Sequence, residues 1–254
     1  MGQTTFNHAD DSAVPRPLVH VQQLSKTYGS FSALSGVTFS VRSGELLGLI
    51  GPNGAGKTTL FECLAGVQPF DSGEITFPFG GAQRPPKSSI LFYVPDGITP
   101  WPDQTVGWAL QFGIGFFGGL QDLYPDIVRE LSLGELLQVR IRALSKGQRK
   151  RFLLGLGLLM PQRVLLIDEP FEGLDLRQSR EVAAVLRKFV DKGRTIFVSI
   201  HQIADAAKIC DRFVLLSNGF VVAEGKLDEL TSLAERKQAS TSLGDFEEVF
   251  LALT

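Results

Sequence analysis

The sequence predicts an α/β domain with a mainly parallel sheet and an inserted helical lobe, on three observations. Short apolar runs alternate with helical stretches after residue 45. Several runs, such as LLGLI and VLLI, are continuously apolar, as parallel strands covered on both faces are. From Gly97 to Ala143 the alternation stops. That stretch has no convincing strand, and its helical segments are broken by Pro100, Pro102, Pro125 and the glycines of FGIGFFGG. Strands alternating with helices make a layered α/β core, and the interruption reads as a lobe inserted into it.

Taken in order, strands are expected at Leu18–Leu24, Val37–Val41, Glu45–Ile50, Glu74–Phe77, Ile90–Val94, Val164–Asp168, Thr195–Ile200, Arg212–Leu216 and Phe220–Ala223. The early ones lie close enough together to form an antiparallel edge. Helices are expected at Lys57–Gly66, Lys146–Met160, Leu176–Asp191 and Gln202–Cys210. The expected organisation is a mobile tail over 1–17, one domain over 18–233 with its helical lobe at about 97–160, and a helical tail over 234–254.

Composition narrows the function classes. A chain of 254 residues, 44% hydrophobic and 20% charged, can bury a sizeable core, so whole-chain disorder is excluded. The balance of 25 basic and 27 acidic side chains leaves no global attraction to nucleic acid or anionic lipid. Two cysteines, Cys63 and Cys210, exclude a disulfide scaffold and fit a reducing cytosol. The most apolar stretch, Phe152 to Met160, is far shorter than the roughly 20 residues of a spanning helix, so a membrane role would come through a partner. The N-terminal residues lack the basic and apolar regions of a secretory signal.

Gly51, Pro52, Asn53, Gly54, Ala55, Gly56, Lys57 and Thr58 form a P-loop, GxxxxGK[ST], between an apolar strand and a helix. Its glycines let backbone N–H groups turn inward around phosphate oxygens, and the helix N-terminus adds partial positive charge. Lys57 is expected to reach the β- and γ-phosphates and the Thr58 hydroxyl to bind Mg²⁺. The run VLLI ends in Asp168 and Glu169. Asp168 is expected to hold Mg²⁺ and Glu169 to orient and deprotonate an attacking water. Leu144, Ser145, Lys146, Gly147 and Gln148 precede a helix that Ser145 can cap.

At this point the sequence resembles the ATP-binding cassette (ABC) ATPases over about residues 18–233. Their LSGGQ signature lies shortly before an Asp-Glu strand, as LSKGQ does here. The resemblance implies a P-loop NTPase core, with ATP and Mg²⁺ as cofactors and a nucleotide-binding set running from Gly51 to Thr59. It implies that Tyr28 stacks on adenine, that Asp175 of Gly173-Leu174-Asp175 lies at a dimer interface, and that His201 touches the γ-phosphate. Ser145, Gly147 and Gln148 would meet ATP held by an opposite subunit, so two such subunits, alike or different, would close around two ATP molecules. The partner implied is a separately encoded transmembrane subunit, with the chain cytoplasmic and peripheral to the membrane and no nucleic acid involved. The ending Leu243–Thr254 resembles that of ABC-2-type exporters, which favours export.

Three departures stand out. Lys146 replaces the first signature glycine. Phe171 and Glu172 replace small polar residues after Asp-Glu-Pro. Asp96, in Tyr93-Val-Pro-Asp96, stands where the family has a glutamine that meets Mg²⁺, and although shorter and charged it is expected to be a third metal contact beside Thr58 and Asp168. The cluster Lys146, Arg149, Lys150 and Arg151 reads as a solvated or phosphate-facing helix end. In the aromatic stretch from Trp108 to Leu120, Phe112 and Phe116 share a helical face, serving either as lobe core or as a docking surface. Two alternatives stay open: a soluble ABC ATPase serving an assembly machine, and a weakly catalytic regulatory subunit. The presence of both Glu169 and His201 argues against the second.

Overall fold

The computed structural model describes residues 17–78, 87–201, 208–237 and 246–253. Its strands are β1 (Pro17–Tyr28), β2 (Phe31–Arg42), β3 (Leu46–Ile50), β4 (Ser72–Thr76), β5 (Leu91–Val94), β6 (Val164–Ile167), β7 (Thr195–Ile200), β8 (Arg212–Ser217) and β9 (Phe220–Gly225). Its helices are α1 (Lys57–Ala65), α2 (Val106–Phe117), α3 (Tyr124–Glu130), α4 (Lys146–Leu159), α5 (Leu176–Asp191), α6 (Leu227–Lys237) and α7 (Phe246–Leu253).

The main sheet has the order β5-β6-β7-β3-β8-β9, with β5 to β8 parallel and β9 antiparallel at one edge. The early strands do not provide that edge. β2, β1 and β4 form a separate antiparallel sheet, because β1 and β2 are joined by a tight turn and pair along most of their length.

The continuous apolar runs are continuous because both sides are covered. Every residue of β3, β6 and β7 is buried. Along β3, Leu46 and Ile50 face one core with α4, α5 and the lobe, while Leu47 and Leu49 face another with α1 and the antiparallel sheet. This is the strand period of two dividing one sheet between two layers.

The lobe carries α2, α3 and short 3₁₀ turns. Thr105 caps α2 by accepting from the Trp108 amide. The lobe is tied to the core by α4. A Cβ on Gly157 would stand 2.7 Å from Val94 Cγ2 and 2.9 Å from Leu165 Cδ1, so the helix backbone lies directly on β5 and β6.

The first strand begins at Pro17, and residues 1–16 of the expected tail lie outside the described residues. So do residues 202–207 of the expected helix Gln202–Cys210 and residues 243–245 and 254 of the C-terminal ending. The helix α6 runs through the expected boundary at 233/234. In α7, Val249, Phe250 and Leu253 are buried in the same core as Leu230 and Ala234 of α6, so the end of the chain packs on the domain.

Candidate functional site

The site follows from the sheet order. The P-loop leaves β3, Asp168 and Glu169 follow β6, His201 follows β7, and Asp96 lies just beyond β5. These four strands are adjacent and parallel, so their C-terminal ends share one edge of the sheet. Crevices at such edges are where open α/β sheets bind ligands.

The cleft there has a volume of about 530 Å³, within the range of small-molecule sites. The P-loop forms its floor. Gly56, at φ +105°, opens α1, and a Cβ there would meet the Ala33 carbonyl oxygen at 2.5 Å, so only glycine fits. Asn53, Gly54, Gly56, Lys57, Thr58 and Thr59 line the cleft. Gly51, Pro52 and Ala55 shape the loop from behind. Lys57 Nζ donates to the Gly51 carbonyl at 2.8 Å and the Pro52 carbonyl at 3.3 Å, and the Ala55 carbonyl accepts from Gly219 at 3.1 Å.

Asp168, 3% exposed, is gripped by three hydroxyls. Its Oδ2 accepts from Thr58 Oγ1 at 2.8 Å and from the Tyr93 hydroxyl at 3.4 Å, and its Oδ1 from Ser199 Oγ at 2.5 Å. Burial, and then the Asp168 charge, push the Tyr93 hydroxyl well above its ordinary pKa, so it stays a donor.

Glu169 stands between Lys57 and His201. Its Oε1 lies 3.5 Å from Lys57 Nζ and its Oε2 lies 2.6 Å from His201 Nδ1. Its φ of +49° is left-handed, a strained conformation for a residue with a side chain. The Glu169 amide donates to Ser199 Oγ at 2.9 Å, and its carbonyl accepts from Lys150 Nζ at 2.8 Å.

At the far end of the cleft, Tyr28 and Phe31 face each other across the β1–β2 turn, 44% and 60% exposed. Lys26 Nζ lies 5.1 Å from the Tyr28 ring centroid.

The start of α4 is elsewhere. Ser145, Gly147 and Gln148 do not line the cleft. Ser145 and Gln148 satisfy each other's amides in a reciprocal capping box, and Gly147 packs against Leu174 and Gln178. Asp175 likewise caps α5.

The three departures from the family pattern find partners. Lys146 Nζ pairs with Glu172 Oε1 at 2.6 Å, and Glu172 lines the cleft. Asp96 also lines it, yet its Oδ1 accepts from Lys150 Nζ at 2.5 Å instead of turning to Thr58 and Asp168. Burial acts to raise the Asp96 carboxyl, but the hydrogen bond and charge of Lys150 outweigh it, and the group is held below the usual carboxylate range.

Of the basic cluster only Lys146 is exposed, and the other three are not a solvated helix end. Lys150 is 4% exposed, Arg149 bonds Thr99, and Arg151 donates to the Leu131 carbonyl at 3.3 Å. The cause is that α4 is wrapped by the lobe on one side and the sheet on the other, so its first two turns end in neighbours.

Sequence reading missed Phe31, Tyr93, Lys150, Glu172 and Ser199 as parts of the site. A signal existed for two of them. Ser199 is a hydroxyl inside the apolar run TIFVSI, and Lys150 shares the apolar face of Leu153 and Leu154 at helical spacing.

Similarities to known proteins agree with this geometry. A family model described as ABC transporter matches residues 34–172. The Nod factor export ATP-binding protein I of Ralstonia nicotianae is 34% identical over 84% of this chain and 68% of its own length. The SkfA peptide export ATP-binding protein SkfE of Bacillus subtilis is 30% identical over 91% of this chain and 99% of its own. A solved ATP-binding subunit of an ABC transporter is 29% identical, with a TM-score of 0.81 over 93% of this chain and 99% of that one.

Proposed function

We infer how the site works from one premise: the chain belongs to the ABC transporter family, and it is an ATP-binding, ATP-hydrolysing subunit of a transporter. The observation that carries the assignment of residues is the position of Glu169. It lies between Lys57 and His201, one residue after a buried aspartate that the P-loop threonine touches.

In this reading the P-loop amides and Lys57 hold the β- and γ-phosphates, and Lys57 exchanges its bonds to the loop carbonyls for phosphate oxygens. Tyr28, with Phe31 beside it, receives the adenine. A water oxygen attacks the γ-phosphorus in line with the bond to the β-phosphate oxygen. Glu169 takes the water's proton, that bond breaks, and ADP keeps the electron pair. His201 orients the Glu169 carboxylate and contacts the γ-phosphate.

The donors Thr58 Oγ1 and Asp168 Oδ2, 2.8 Å apart, suit Mg²⁺, a hard cation that takes one or two protein oxygens, phosphate oxygens and water. When bound it neutralises phosphate charge. We assign it to Thr58 and Asp168 and leave Asp96 to Lys150.

The partners follow the same premise. A second ATP-binding subunit would bring its own Ser145, Gly147 and Gln148 onto this nucleotide. A membrane subunit would dock on the lobe, where Trp108, Phe112 and Phe116 of α2 stack in a ladder, with centroids 4.9 and 5.6 Å apart. Phe116 is 71% exposed, so the ladder is a surface and not the lobe's core. Among the described residues no helix is long and apolar enough to cross a membrane, and the proposed place of the chain, peripheral to the membrane on the cytoplasmic side, comes from its partner. Export is the proposed direction, supported by the two relatives above, both named for export.

The test is phosphate release from MgATP by the purified chain and by Glu169→Gln. The amide keeps the shape and removes the base, so turnover falls by a factor on the order of 10² or more while ATP binding persists. Turnover of the variant at the wild-type rate would reject Glu169 as the base.

A further inference from the structure

The peptide of Glu169 is held from two sides. On one side its amide donates to Ser199 Oγ, which in turn donates to Asp168 Oδ1, so that grip comes from β7 in the core. On the other side its carbonyl accepts from Lys150 Nζ, and that grip comes from α4. A left-handed residue with a side chain keeps its conformation only where the surroundings over-determine it. These two bonds over-determine Glu169, together with the Glu172 amide, which donates to the same carbonyl at 3.2 Å.

Lys150 is suited to this by its own surroundings. It is nearly fully buried, where a lone ammonium would be strongly disfavoured. The Asp96 carboxylate at 2.5 Å supplies the opposite charge and keeps the ammonium in place. The bond from a charged donor to the carbonyl is stronger than one between neutral groups. The helix that carries Lys150 is seated closely on the sheet, because Gly157 lies against Val94 and Leu165 with no room for a Cβ.

We propose that Lys150 is a positioning residue for hydrolysis: anchored by Asp96, its ammonium holds the Glu169 carbonyl and so sets where the Glu169 carboxylate stands in the cleft. The inference rests on the reading of Glu169 as the base. It gives Asp96 a task that differs from meeting the metal, and it makes one side chain the tie between the helix that begins at Ser145 and the base. A displacement of α4 relative to the sheet reaches Glu169 through that tie.

The experiment is steady-state ATP hydrolysis by the full chain, with kcat and KM determined for wild type, Lys150→Met, Lys150→Arg and Glu169→Gln. Loss of the grip lets the base wander, so Lys150→Met lowers kcat by about ten- to a hundredfold. KM for ATP stays close to wild type, because the P-loop is untouched. Lys150→Arg, which keeps the charge and the donors, recovers most of the rate. A role confined to stability would lower the melting temperature and leave the kcat of the folded protein unchanged, and that outcome overturns the proposal. If Lys150→Met does not fold, Asp96→Asn takes its place. It keeps the volume and weakens the anchor, and a smaller fall in kcat at constant KM is expected, whereas an unchanged kcat overturns the proposal. A fully active Glu169→Gln rejects the assignment of the base, and this inference falls with it. An inactive Glu169→Gln beside a Lys150→Met of wild-type kcat rejects this inference alone.

Discussion

The two walls of the cleft are built by different means. On the core wall, the P-loop, Asp168, Glu169 and His201 sit at the ends of adjacent parallel strands, fixed mainly by hydroxyls and backbone groups, with Glu169 also held by Lys57 and His201. On the wall that faces the start of α4, called here the lobe wall, Asp96 and Glu172 line the cleft and are paired to side chains of α4 behind them: Asp96 with Lys150, and Glu172 with Lys146. The core wall carries the P-loop, the Asp168-Glu169 pair and His201 that the sequence singled out. Every departure named from the sequence, apart from Phe171, belongs to the lobe wall, and the departures come as complementary charges. The lesson is that a substitution which looks damaging alone, an aspartate for a glutamine or a lysine for a glycine, is answered by a partner elsewhere in the chain.

The contrast can be broken at its strongest point first. Lys57→Ala removes the cation of the core wall. Wild type gains about 2.7 kcal/mol from MgATP at a hundredfold over Kd, and the variant is expected to gain none, read as a missing shift in melting temperature. A retained shift would move the nucleotide seat away from the P-loop.

The join between the walls is tested by Gly157→Ala. The added methyl meets Val94 and Leu165 at contacts under 3 Å, and overpacking of this kind costs about 1–3 kcal/mol. The urea midpoint should fall accordingly. An unchanged midpoint would mean that α4 rides loosely on the sheet.

The smallest effect belongs to acid. The Asp96 carboxyl titrates lower in the folded chain than in the unfolded one, since the bond and charge of Lys150 more than offset burial. Its contribution is therefore complete above the ordinary aspartate range and is lost as pH falls through the lowered folded-state value. Because the group is partly exposed, that contribution stays below about 1 kcal/mol. It should appear as a stability gap between wild type and Asp96→Asn that closes in acid.

Legibility from sequence divides along the same line. The strands and the helices α1, α4 and α5 were visible because apolar runs and helical periods directly report burial. The P-loop, Asp168 and Glu169 were visible because phosphate chemistry demands those types at that spacing. The separate sheet β2-β1-β4 was only half visible, since short-range antiparallel pairing does not say which sheet it joins. Lys150 carried one signal, its place on the face of Leu153 and Leu154, and its basic neighbours masked it. A lysine in a run of basic residues reads as solvated, and only the distant Asp96 and the Glu169 carbonyl make its burial tolerable. Ion pairs between residues 54 apart in the chain leave no local trace.

The measurement that bears most directly on the contrast between the walls is a double-mutant cycle between Asp96 and Lys150, read in the kcat of ATP hydrolysis. Wild type, Asp96→Asn, Lys150→Met and the double variant are compared under saturating MgATP. If the pair works as one device, the double variant is no slower than Lys150→Met alone, because the anchor has nothing left to hold. If the two losses multiply, the residues act separately, and the lobe wall is not wired by complementary charge.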